Sequence, residues 1–181
     1  HYNNGSEIPT GYTDSEWAEL ETDAYAVYPT DDDNASQSTC GDDCADIYGN
    51  LYNWYAVDDN RGICPENWHV PSDDEFKTLE MFLGMSQEQA DDTGYRGTND
   101  GSNLAGNADL WNDEILEQNS EFGTSGFTAL PAGERDNGSV YNSMSTHGSF
   151  WSSTESSSND AWYRNLDWNN SEVYRNATVK R

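Results

Sequence analysis

Residues 71–84 read Pro71-Ser-Asp-Asp-Glu-Phe-Lys-Thr-Leu-Glu-Met-Phe-Leu-Gly84. The Ser72 hydroxyl can accept from an amide of a first helical turn. Glu75, three residues on, can reach back to the Ser72 N–H, which completes a capping box. Asp73 and Asp74 suit the positive end of a helix. Phe76, Leu79, Phe82 and Leu83 recur at helical spacing and predict one apolar face, and Gly84 supplies a stop. The stretch predicts a helix over 73–83.

On either side the text changes. Upstream, Ala24 to Tyr28 is a short apolar segment, 31–46 is an acidic loop, and Tyr48 to Val57 is dense in aromatics and predicts a buried strand or irregular segment. From Gly94 onward, Gly, Asn, Ser and Thr punctuate short segments: Gly126 to Leu130, Val140 to Tyr141, Ser149 to Ser153, Ala161 to Leu166 and Ser171 to Arg175. Such spacing predicts short strands joined by turns. One or two helices early and a loop-rich antiparallel sheet region late make the expected class α+β. No period of solenoid length repeats, and the length suits one domain over 1–181.

The chain holds 34 Asp and Glu against 8 Lys and Arg, a net charge of −26 over 181 residues. That field repels phosphate backbones and anionic lipid, so nucleic-acid partners and membrane insertion are not expected. Yet 7 Trp, 11 Tyr and 5 Phe are too many for a disordered acidic chain. An aromatic core under a solvated acidic surface reconciles the two. Of the three cysteines, Cys40 and Cys44 are spaced to close a small disulfide loop or to stand as free thiols, and Cys64 is left over.

Five strings together point to a family. They are Tyr48-Gly-Asn-Leu-Tyr-Asn-Trp-Tyr-Ala-Val57, Gly62-Ile-Cys-Pro-Glu-Asn-Trp-His-Val-Pro-Ser72, Gly126-Phe-Thr-Ala-Leu-Pro-Ala-Gly-Glu-Arg135, Phe150-Trp-Ser-Ser-Thr-Glu155 and Ala161-Trp-Tyr-Arg-Asn-Leu166. In this order, over nearly the whole chain, they resemble the Fibrobacter succinogenes major paralogous domain. The resemblance implies an extracellular protein of bacterial surfaces with a fold related to the C-type lectins. It also implies a first and a last strand that close the fold and that this chain lacks. The cysteine of that last strand would be the partner of Cys64. A fold short of those strands would be open to completion by another chain.

For chemistry, no hydrolase, zincin, P-loop or dinucleotide-binding motif occurs, and His69 beside Trp68 reads as an interior structural histidine. The expectation is a protein without enzymatic activity. Three acidic groups have the density for hard cations: Asp31, Asp32, Asp33 and Asn34; Asp42, Asp43 and Asp46; Asn99, Asp100 and Asn103. Solvated loops are one reading of them and Ca²⁺ is the other, because an ion would relieve the packed charge. The C-terminal segment carries Trp151, Tyr163, Asn165, Trp168, Asn169, Asn170, Tyr174 and Asn176. Rings that stack on pyranose faces, beside amides that bond hydroxyls, suit a glycan, and the same composition suits a protein ligand. The competing reading buries Trp162 and Trp168. Sequons fall at Asn4, Asn34, Asn137, Asn169 and Asn176. The expected function is a surface binding or adhesion module that engages a glycan or protein through this face. The alternative is a filament subunit held by strand exchange and divalent cations.

Overall fold

The structure is a computed structural model and describes residues 1–29, 40, 44–136, 138 and 140–181. It is α+β. The early half holds short helices α1 (Asp14–Trp17), α2 (Cys44–Tyr48) and α3 (Trp54–Val57) around a two-stranded ribbon of β1 (Tyr25–Ala26) and β2 (Leu51–Tyr52). Next come α4 (Asp73–Leu83), α5 (Gln87–Asp91), β3 (Gly94–Arg96), α6 (Asp100–Leu104) and α7 (Ile115–Gln118). The late half is β4 (Ala132–Arg135), β5 (Tyr141–Met144), β6 (His147–Glu155), β7 (Asp160–Asp167) and β8 (Val173–Val179). The strands β3 to β8 form one sheet in the order β3-β8-β7-β6-β4-β5.

The helix expected over 73–83 is α4. Ser72 Oγ accepts from Glu75 N at 3.3 Å and Glu75 accepts from Ser72 N at 2.8 Å, both halves of the capping box. Its buried stripe corrects the expected one. Phe76 is buried and Leu79 and Leu83 pack against the core, but Phe82 is 86% exposed, and Asp73 and Glu80 are buried instead. At 100° per residue Phe82 points away from the line through residues 73, 76, 80 and 83.

Four further expectations change. Several single-turn helices cap loops where one or two helices were expected. Gly126 to Leu130 is not a strand; it touches its neighbours by one bridge, Ala105 to Ala129. The sheet is mixed, because β4 meets β6 in parallel at Gly133 and Gly148 while its other pairings are antiparallel. The aromatic run near Tyr48 divides into β2 and α3, with Asn53 capping α3 through its side chain.

Alternation sorts the sheet residues onto two faces. One face carries Phe150, Leu166 and Val173 into the core with Leu104, Trp111 and Leu116. The same face carries Arg96, Arg164 and Arg175 under α4. There Arg164 bonds Asp73 at 2.7 Å and Glu80 at 2.6 Å. Arg175 bonds Asp73 at 2.7 Å and lies over the Trp162 ring, and Arg96 bonds Glu80 at 2.9 Å. Two carboxylates and three guanidiniums thus pair with one another in the buried layer between helix and sheet, with Arg96 Nε left without a hydrogen bond. Buried charges are tolerated only when they are paired.

The remaining cations are also used internally. Lys77 pairs with Asp73 and Asp91, Arg61 with Asp23 and Asp59, Arg135 with Asp14, and Lys180 with Glu155. Seven of the eight lysines and arginines are therefore held in ion pairs, and the eighth is Arg181. Little positive charge is left to offset the carboxylates outside, so the surface charge is almost uniformly negative.

Candidate functional site: an aromatic sheet face and its cleft

The other face of the sheet bears the predicted binding residues. Register places Trp151 of β6 opposite Tyr163 of β7, Tyr163 opposite Asn176 of β8, and Asn165 opposite Tyr174. Tyr174 lies opposite Tyr95 of β3. Their rings form a ladder across four strands: Trp151 to Tyr163 at 6.1 Å, Tyr163 to Tyr174 at 6.1 Å, and Tyr174 to Tyr95 at 5.0 Å between centroids. Such cross-strand and diagonal neighbours are the contacts a pleated face allows. Five of the eight candidates (Trp151, Tyr163, Asn165, Tyr174 and Asn176) thus share one face.

The other three serve the β7–β8 turn. Trp168 packs against the core cluster. Asn170 accepts from Glu172 N at 3.0 Å, and Asn169 stands exposed with its amide bonded to Asp167.

At its Trp151 end the face borders a cleft of about 850 Å³. Its floor is β4 and β6, with Glu134, Ser149 and Trp151; Tyr163, Tyr52 and Thr178 contribute to its sides. The Trp151 indole is fixed by donating to the Tyr52 carbonyl at 2.9 Å. The cleft shares Trp68, His69, Phe76 and Phe127 with an adjoining pocket of about 290 Å³, which Leu79 also lines. Thr128 on the same wall has φ +57, a strained conformation for a β-branched residue. A concave, mostly apolar space with a few convergent polar groups has the form of a ligand site.

The polar groups form two linked sets. Asn165 Nδ2 donates to Ser149 Oγ at 3.3 Å, and Ser149 Oγ donates to Glu134 at 3.3 Å. Burial raises the Glu134 carboxyl, with His147 opposing. His147 lies 3.5 Å from Asp167, which raises the imidazole, and Tyr95 donates to Asp167 at 2.8 Å. Burial also pushes the Tyr163 phenol up to about 12.

Glu134 and His147 are raised on folding, so each contributes stability that is complete below its unfolded pKa and is lost as pH climbs through the folded value. Asp73 and Asp167 are depressed, the first by Arg175 and Arg164 and the second by His147 and Tyr95, both against the effect of burial. Their contributions hold above about pH 4 and are lost only in stronger acid. The melting temperature should therefore peak near about pH 5, decline toward pH 8 and collapse below about pH 3. Thermal melts across that range check this, and a flat profile between pH 5 and 8 would contradict it.

Other sequence expectations fall elsewhere. Asp31, Asp32, Asp33, Asn34, Asp42, Asp43 and Asn137 lie outside the described residues. Asn99 Oδ1 accepts from Asn119 at 2.9 Å, Asn103 Oδ1 accepts from the Thr124 hydroxyl, and Asp100 is buried and accepts from Thr98 N. Among the described residues no group of three or more His, Cys, Asp or Glu is placed to hold an ion. Cys40 and Cys44 form a disulfide, and Cys64 is free on the cleft wall.

His69 is not interior: it is exposed and bonds Glu75 at 2.9 Å. The capping box holds the Glu75 carboxylate at the surface and pulls its pKa down to about 2, so the imidazole that meets it stays outside. Trp68 (75% exposed), Phe127 and Glu134 were missed as candidates. Their signal was present only as aromatic and acidic residues inside the strings that carry the family resemblance, with no spacing to single them out.

An α+β fold with charged helix packing on one sheet face and an aromatic, amide-bearing cleft on the other is the class defined here. Within it, the chain belongs to the Fibrobacter succinogenes major domain family, whose family model matches residues 1–180. No curated protein and no solved structure matches it. Among the described residues no helix is long and apolar enough to cross a membrane.

Proposed function

We propose that this is a binding module of the bacterial cell exterior, with a C-type-lectin-like fold, that holds a glycan in the cleft beside Trp151 and Tyr163. One observation carries the reading: Trp151, Tyr163, Ser149 and Glu134 line the same concave surface, with Asn165 donating to Ser149 from beside it. Aromatic rings offer stacking area at low entropic cost, and the amide, hydroxyl and carboxyl groups offer bonds for sugar hydroxyls. A glycan is favoured over a protein ligand because the rings are recessed in a cleft, where a chain of pyranoses fits more readily than a folded surface. The module binds without chemistry; its role is attachment. A glycan array probed with the labelled protein should show a restricted set of positive oligosaccharides. A blank array would count against the reading.

A further inference from the structure

We propose that the cleft prefers glycans bearing a protonated amine, with the Glu134 carboxylate as the partner of the ammonium group; the proposal rests on the cleft being the glycan site. The hydrogen-bond chain runs one way. Asn165 donates to Ser149 and Ser149 donates to Glu134, so the Ser149 proton is consumed internally and the chain ends on an acceptor. The Glu134 oxygens remain as acceptors on the cleft lining, with Ser149 as their one side-chain donor among the described residues. A part-buried carboxylate held by a single neutral donor has capacity for further donors. An ammonium brings three donors and no acceptor.

Charge points the same way. Glu134 makes no ion pair with a lysine or arginine among the described residues. Of the two arginines on the cleft walls, Arg135 is tied to Asp14 and stacked on Trp17, and Arg181 forms no pair with Glu134. The other charges that face Glu134 are His147, itself engaged by Asp167, and Asp136, which adds further negative potential. Burial pushes the Glu134 carboxyl up, and an incoming cation would relieve that. The neighbouring rings of Trp151 and Tyr163 attract cations through their faces. The surrounding field of a chain at −26 concentrates cationic ligands and repels uronates and sulfated sugars.

The test is calorimetric titration of the whole chain with four matched pentasaccharides: glucosamine, N-acetylglucosamine, glucose and galacturonate oligomers. The expected order places the glucosamine oligomer first, the two neutral oligomers weaker, and the galacturonate oligomer without measurable binding. Glu134→Gln should weaken the glucosamine oligomer by about tenfold, the scale of one hydrogen bond to a charged group, and the neutral ones by much less, so that the preference for the amine is lost. Should Glu134→Gln fold poorly, added salt in the wild type must weaken the amine oligomer selectively. Equal affinity for amine and neutral oligomers would overturn the preference while leaving the glycan reading intact. An amine preference that survives Glu134→Gln would assign it to the overall field and overturn the role of Glu134. No binding of any oligomer would instead remove the glycan reading on which the proposal stands.

Discussion

Arg164→Leu is expected to cost about 3–5 kcal/mol of stability, the range for breaking one side of a buried ion pair. The guanidinium is 2% exposed and holds Asp73 at 2.7 Å and Glu80 at 2.6 Å. Leucine fills part of the volume but leaves two buried carboxylates with fewer donors. Arg175 and Arg96 remain on the far sides of Asp73 and Glu80, so the site is weakened rather than emptied. At about 2–4 °C per kcal/mol for a domain of this size, the melting temperature should fall by roughly 10 °C. Urea unfolding measures it. Replacing Glu80 and Arg96 by Leu along with Arg164 should recover part of the loss, because no charge of that half of the network is then stranded while Asp73 keeps Arg175. A single-variant loss under about 1 kcal/mol would show the network to be solvated and peripheral.

Gly133→Ala is the second large effect. Gly133 sits in β4 with φ +68, and a Cβ there would lie 2.4 Å from the Asn142 carbonyl oxygen and 2.7 Å from Met144 N. Both are backbone atoms of β5, so no rotamer change relieves the clash. Left-handed strain of about 1–2 kcal/mol adds to overpacking of about 1–3 kcal/mol. The sum, about 2–5 kcal/mol, should appear in thermal and urea unfolding alike. Gly94→Ala separates the two terms: φ is +85 but nothing lies within 4 Å, so strain alone should act. Similar losses in the two variants would contradict the close approach of β4 to β5. Because β4 floors the cleft, Gly133→Ala should weaken ligand binding as well, whereas Gly94→Ala should not.

How much of this could be read from residues alone depends on the range of the interactions. The α4 helix was legible end to end because a capping box and a glycine stop act within one or two turns. The β7 and β8 strands were legible in kind, since turn residues bracket their aromatic runs. The burial of Asp73 and Glu80 was not, because their partners are 91 and 84 residues away in the chain and no local pattern marks them. Phe82 was misplaced for the same reason: an apolar residue at the edge of the helical stripe is exposed once two carboxylates occupy the inward positions. At the site, the shared face of Trp151, Tyr163, Asn165, Tyr174 and Asn176 follows from period-two alternation and strand register. Tyr95 joins them only through the pairing of β3 with β8. Glu134 joins the cleft only through the single parallel bridge between β4 and β6, a contact that sequence does not announce.

The Trp151–Tyr163 end of the sheet face is the proposed ligand site. Its most direct test is calorimetric titration of the wild type and Trp151→Ala with the strongest oligosaccharide from the array, circular dichroism verifying that both are folded. Loss of one stacked ring from a sugar site is expected to weaken binding by about tenfold or more, while the exposed Trp68→Ala reduces it less. Unchanged affinity in a folded Trp151→Ala variant would place the ligand elsewhere and contradict the claim.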